Sequence, residues 1–125
     1  MRAIKFRAWD GERMLPHDSA GMGALVFNYL AEHDGKFPRD MKLMQYTGLK
    51  DKNSKEIYEG DVVKGLRKNK KGVIKEIVSP VVFHHGHYMI VKSKTNKKWR
   101  SLGDCENKDV LEVIGNIYEN KELLK

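Results

Sequence analysis

A chain of 125 residues, 40% hydrophobic and 33% charged, can bury a real core but has room for one domain with at most a small appended lobe. Its single cysteine, Cys105, excludes an internal disulfide framework and a cysteine-cluster zinc site, and points to a reducing compartment. The net charge of +7 is unevenly placed: residues 61–102 hold eleven Lys and Arg against two acids, residues 103–125 three against six, and residues 1–60 ten against nine. A basic block followed by an acidic tail can recruit a polyanion or pair with the tail of a neighbouring copy.

The first residues, Met-Arg-Ala-Ile-Lys-Phe-Arg, put charges where a signal peptide needs an apolar run. The most apolar stretch, Met22 to Ala31, is interrupted by Gly23 and Asn28 and falls far short of the ~20 residues of a membrane span. Neither export nor a membrane partner is expected, and the cytoplasm is the expected location.

Ile4, Phe6 and Ala8 alternate with Lys5, Arg7 and Trp9, the period of a half-buried strand. Asp10-Gly11 makes a turn, and Pro16 ends a short second strand at Met14-Leu15, since proline cannot donate to a ladder. Gly23 to Ala31 is β-branched and aromatic enough to predict a strand. Asp34-Gly35 and Pro38 make Glu32 to Arg39 a loop. Met41 to Thr47 is a strand turning at Gly48.

The second half alternates strands and turns. Val62 to Leu66 leads into the turn Arg67–Gly72; Val73 to Val78 follows, and Pro80 breaks it. Val81 to Phe83, a turn at His84–His87, Tyr88 to Val91, a tip at Lys92–Lys98, Trp99 to Leu102 and Val110 to Tyr118 complete the series. Asn120 would cap a last turn of helix whose Leu123 and Leu124 dock on the protein's own sheet or, in the alternative, make a subunit contact. Short strands with one apolar face must close or stack to hide their edges. The expected fold is therefore mostly β: an N-terminal β-hairpin region, residues 1–58, packed on a small SH3-like β-barrel, residues 59–125, with a short C-terminal helical turn.

Two basic tips are the leading candidate site. Arg67, Lys68, Lys70 and Lys71 share one turn; Lys92, Lys94, Lys97, Lys98 and Arg100 surround another, with Trp99 beside them. If the tips meet, they form a cationic surface with an aromatic able to stack on an exposed base; otherwise they solvate hairpin ends and block edge pairing. His84, His85 and His87 offer two imidazoles across a turn but no third ligand. No serine sits in a Gly-x-Ser-x-Gly elbow, and Asp104 and Glu106 raise rather than lower the Cys105 thiol pKa. Gly48 to Lys55 lacks the second glycine of a phosphate loop and precedes a strand. Asp51, Glu56, Glu59 and Asp61 show no repeated Asp-x-Asp spacing and are read as solvated turn carboxylates. No catalytic residue, metal or cofactor is assigned.

Three stretches carry a resemblance: Leu43 to Val63, Lys5-Phe6-Arg7-Ala8-Trp9-Asp10, and Gly115-Asn116-Ile117-Tyr118-Glu119-Asn120. Together they are similar to the YopX protein family, encoded by phages and prophages of Gram-positive bacteria and without an assigned reaction. The resemblance implies an SH3-like fold and leaves out residues 17–40 and 66–101. In one place this chain departs from the pattern: where the family usually shows Asn-Gly, it has Asn53-Ser54, with Asn53 expected to take the left-handed conformation. The expected function is a non-catalytic binding protein, homo-oligomeric, contacting nucleic acid through the basic tips. The alternatives are a scaffold or interaction module docking on a host or phage protein and, further off, a metal-dependent nucleotide hydrolase.

Overall fold

The computed structural model describes residues 4–16, 29–36, 41–68, 71–84, 86–93, 98–102 and 110–124, with backbone alone at 67, 68, 75, 91–93, 98–100 and 110. The chain is mostly β, as expected, with curled sheets and a 3-10 turn near the C-terminus. It divides into two units, residues 1–46 and 47–125. Among the described residues no helix is long and apolar enough to cross a membrane.

The first unit is built on an Asx turn. The Asp10 carboxylate accepts the N–H groups of Glu12 and Arg13 at 2.8 Å each, with Gly11 at φ 106°. This turn joins β1 (Phe6–Trp9) to β2 (Met14–Leu15), with Ala8 opposite Leu15. On its other side β1 pairs antiparallel with the start of β3 (Lys42–Lys50), Phe6 opposite Gln45 and Trp9 opposite Lys42. Ala8, Leu15 and Tyr29 form a small buried cluster with Met41 against it.

The strand predicted for Gly23 to Ala31 is not what forms. Residues 29–32 are helical, and residues 23–28 lie outside the described residues. Local side-chain geometry overrides the β propensity. The Tyr29 and His33 rings, one turn apart, stack at 3.9 Å, and His33 Nδ1 lies 2.8 Å from the Tyr29 carbonyl. Asp34 at φ 53° lets Gly35 donate back to the Leu30 carbonyl at 2.8 Å, a Schellman-type stop. Arg13 then ties the turn to the hairpin through Glu32 at 2.8 Å.

In the second unit, β5 (Asp61–Lys68) lies between β10 (Val110–Asn116) and β6 (Ile74–Pro80), while β8 (His87–Ser93) lies between β7 (Val82–His84) and β9 (Lys98–Ser101), all antiparallel. β6 runs into β7 through Val81 alone and contacts β8 as well, which is how the sheet curls into a half-barrel. Its core is Ile57, Val63, Val81, Ile90, Leu102 and Leu111, with Leu49, Tyr88 and Val113 packed on it. Gly65 lies at the close approach of two of these elements: a Cβ there would stand 3.4 Å from both Ile77 and Leu111.

Gly48 does not turn the chain. It sits inside β3 at φ 89°, and the strand runs on to Lys50, with β4 (Glu56–Tyr58) beside it. The Thr47 hydroxyl donates to the Ile57 carbonyl at 2.7 Å and accepts the Leu49 N–H at 3.2 Å. That hydroxyl absorbs the irregularity that a glycine in the left-handed region introduces, so the hairpin closes four residues later, at 52–54.

Candidate functional site

Both basic segments fall at hairpin ends of the second unit. β5 and β6 close with Arg67 opposite Lys75 and Lys68 opposite Ile74, and the turn returns through exposed Lys71 and Gly72 at φ 83°. β8 and β9 pair Val91 with Trp99, Ile90 with Arg100 and Ser93 with Lys98, with a register shift beside Lys92. Lys70, Lys94 and Lys97 lie outside the described residues. Lys64 has its charge engaged, 3.6 Å from Glu76, and Lys52 is 2.8 Å from Glu112, so these two cations add little free positive field to the tips.

His84 and His87 are opposite one another at the end of the β7–β8 hairpin, as the spacing suggested, and both are exposed; His85 lies outside the described residues. Among the described residues no three His, Cys, Asp or Glu stand together as a metal site. Phe83 and Tyr88, the next pair in register, meet edge to face at 5.1 Å.

Two of the turn carboxylates are not solvated. Asp51 is 8% exposed and Asp61 2%. Asp51 Oδ1 accepts the N–H of Asn53 at 2.8 Å and of Lys55 at 2.9 Å, while Oδ2 accepts the N–H of Val113 at 2.9 Å. Burial pushes its pKa up, but the Val113, Lys55 and Asn53 donors, with the Lys55 charge, outweigh it and hold the carboxyl below its ordinary value. Asp61 Oδ2 accepts the Tyr58 N–H at 2.8 Å, and its carbonyl accepts that of Val81 at 2.8 Å. Between them Gly60, at φ 86°, donates to Val81 and accepts from Ile117, each at 2.9 Å. One two-residue turn thereby ties together three parts of the unit.

The C-terminal stretch works in the same way. Asn116 Oδ1 accepts from Tyr118 at 3.0 Å and Glu119 at 2.9 Å, and its own N–H donates to Asn120 Oδ1 at 3.2 Å. The Asn120 side chain is thus turned back to β10 instead of capping the helical turn. It is the Asn120 carbonyl that accepts the Leu123 N–H, at 3.0 Å. The 3-10 turn, Lys121–Leu124, packs against β6, leaving Leu124 39% exposed. Of the family-like aromatics, Tyr46 and Tyr58 are buried, Lys5 Nζ lying 5.6 Å from the centre of the Tyr46 ring; Phe6, Trp9 and Tyr118 are half-buried. Cys105 lies outside the described residues.

Of the stretches that resemble a known family, the central run is bonded to the chain's C-terminal part: Asp51 to β10 and Gly60 to Ile117. Comparison with known proteins agrees. The crystal structure of protein EF1440 from Enterococcus faecalis is similar over 100% of both chains, with 27% sequence identity and a TM-score of 0.61. No curated protein matches. Residues 5–125 match the family described as YopX protein, and with the match spanning nearly all of its length the chain belongs to the YopX family.

Proposed function

We propose that this protein is a phage- or prophage-encoded binding protein without catalytic activity. In this reading it works as a homo-oligomer in the cytoplasm of its bacterial host and contacts the nucleic-acid backbone through the ends of its β5–β6 and β8–β9 hairpins. The observation that carries the reading is that residues 61–102, with eleven Lys and Arg against two acids, put both of their basic runs at hairpin ends of one unit. Strand order adds support. β7 continues from β6 after one residue and β8 runs antiparallel to β7, so β8 leads toward its tip in the same sense as β5 leads toward its own. The carboxylates weighed for metal-dependent hydrolysis favour a structural role, because Asp51 and Asp61 engage backbone N–H groups.

The test is charge reversal at the β9 side, Lys97→Glu, Lys98→Glu and Arg100→Glu together. Loss of nucleic-acid binding with an unchanged melting temperature supports the assignment; unchanged affinity refutes it. A second reading, a self-assembling scaffold, is favoured by the acidic run 103–125, with six acids against three Lys, which complements the basic block. Light scattering at low and high salt separates the two, since an assembly held by that complementarity loses mass as salt screens it.

A further inference from the structure

The last ladder pair of the β7–β8 hairpin is His84 with His87, both exposed, and Gly86 in the turn between them takes φ 84°. Side chains opposite one another in an antiparallel ladder share a face, with Cβ atoms about 4.5–5.5 Å apart. That spacing lets two imidazoles converge on one ion at about 2.0–2.1 Å each. Phe83 and Tyr88 belong to the other face, where Tyr88 packs on the core. The next pair on the histidine face, Val82 with Met89, is half-buried and uncharged, and the ribbon 82–89 contains no carboxylate of its own. The hairpin end stands clear of the other described residues: a Cβ built on Gly86 would meet nothing within 4 Å.

We infer that His84 and His87 are half of a zinc site, completed by the same pair from a second copy of the chain. Two imidazoles make a chelate but leave two of the four tetrahedral positions of zinc open. Among the described residues no third metal-ligating side chain stands with them. A second copy related by a two-fold axis brings the same two nitrogens, because a closed two-fold contact uses one patch twice. Imidazole suits copper and nickel as well, but two crossed pairs give the tetrahedral set that zinc takes. Coordination then holds the copies together against charge: each brings the basic stretch 61–102, so salt, which screens that repulsion, does not loosen the contact. The inference deepens the homo-oligomeric part of the reading above and is independent of the nucleic-acid part.

The experiment takes the full chain stripped of metal, adds zinc ion alone, and reads mass by sedimentation and stoichiometry by calorimetry. Zinc is expected to double the mass at one ion per two chains, equally at low and high salt, and a chelator is expected to reverse it. His84→Ala and His87→Ala, both at exposed positions, are expected to keep the melting temperature of the metal-free wild type and to lose the doubling. Doubling that persists in either variant overturns the inference, as does zinc bound at one ion per chain without a change in mass. Zinc-dependent mass that falls as salt rises also overturns it, because charge complementarity then holds the copies. A metal-free protein already larger than one chain and unmoved by zinc overturns the inference and leaves the homo-oligomeric reading standing. A single chain with and without zinc overturns both.

Discussion

The Asp51 carboxylate accepts the backbone N–H of Val113, 62 residues further along the chain, at 2.9 Å, while its other oxygen holds the hairpin turn through Asn53 and Lys55. One buried side chain thus sets a local turn and fixes that turn to a strand remote in sequence. In Asp51→Asn the amide nitrogen must face one of these N–H donors, leaving a buried donor unsatisfied, and the charge-assisted character of the remaining bonds is lost. Unfolding in urea is expected to show a loss of about 2–4 kcal/mol.

The same carboxylate makes stability pH-dependent in a defined direction. Its folded-state pKa lies below the ordinary value of 3.8, so its contribution is complete above that value and disappears as pH falls through the folded pKa. Asp10 acts likewise: burial raises its pKa, but the Arg13 and Glu12 N–H groups and the Arg13 charge bring it below the ordinary value. Urea unfolding between about pH 2 and 6 is expected to show stability declining on the acid side. In Asp51→Asn the decline should be shallower; an unchanged acid limb would count against the role given to Asp51.

Gly115 lies where β10 departs from regular pairing with β5. A Cβ at this position would stand 2.5 Å from Asn120 Oδ1 and 2.8 Å from Leu123 Cδ1, so Gly115→Ala must displace the Asn120 side chain from the Asn116 N–H and turn the Leu123 side chain aside. A destabilisation of about 2 kcal/mol is expected in thermal or urea unfolding, with amide exchange at Asn116 accelerated relative to the rest of β10.

Ser54, not Asn53, takes the positive φ of the β3–β4 turn, at 64°. Relieving the left-handed strain of a side chain costs some unfolded-state entropy, yet Ser54→Gly is expected to raise stability by about 0.5 kcal/mol. A lower melting temperature would show that the serine side chain contributes more than its backbone conformation costs.

The sequence was most legible where period and turn chemistry agree. The Phe6–Ala8 alternation, the Asp10-Gly11 turn and the hairpin with His84 opposite His87 all have short-range causes. The failures share another cause. Residues 29–31 carry strand propensity, but the Tyr29–His33 stack and the Gly35 bond to Leu30 decide for a helical turn, and such contacts are not written in composition. Gly48 reads as a turn because glycine usually marks one, whereas the Thr47 hydroxyl lets the strand pass through it. Asp51 and Asp61 read as solvated because charged turn residues usually are; their burial depends on β10 and Val81 arriving from elsewhere in the chain. That both basic runs end hairpins of one unit is likewise set by strand pairing and not by the count of lysines.

The most direct measurement is a titration of labelled duplex and single-stranded DNA and RNA with the wild-type protein, followed by anisotropy between about 50 and 200 mM salt. The account predicts saturable binding whose logarithm falls linearly with that of the salt concentration, losing about 10³-fold over this range if some six phosphates are neutralised. No saturable binding to any of these nucleic acids at the lowest salt would contradict it, and the lysines of the two hairpin ends would then be solvating residues.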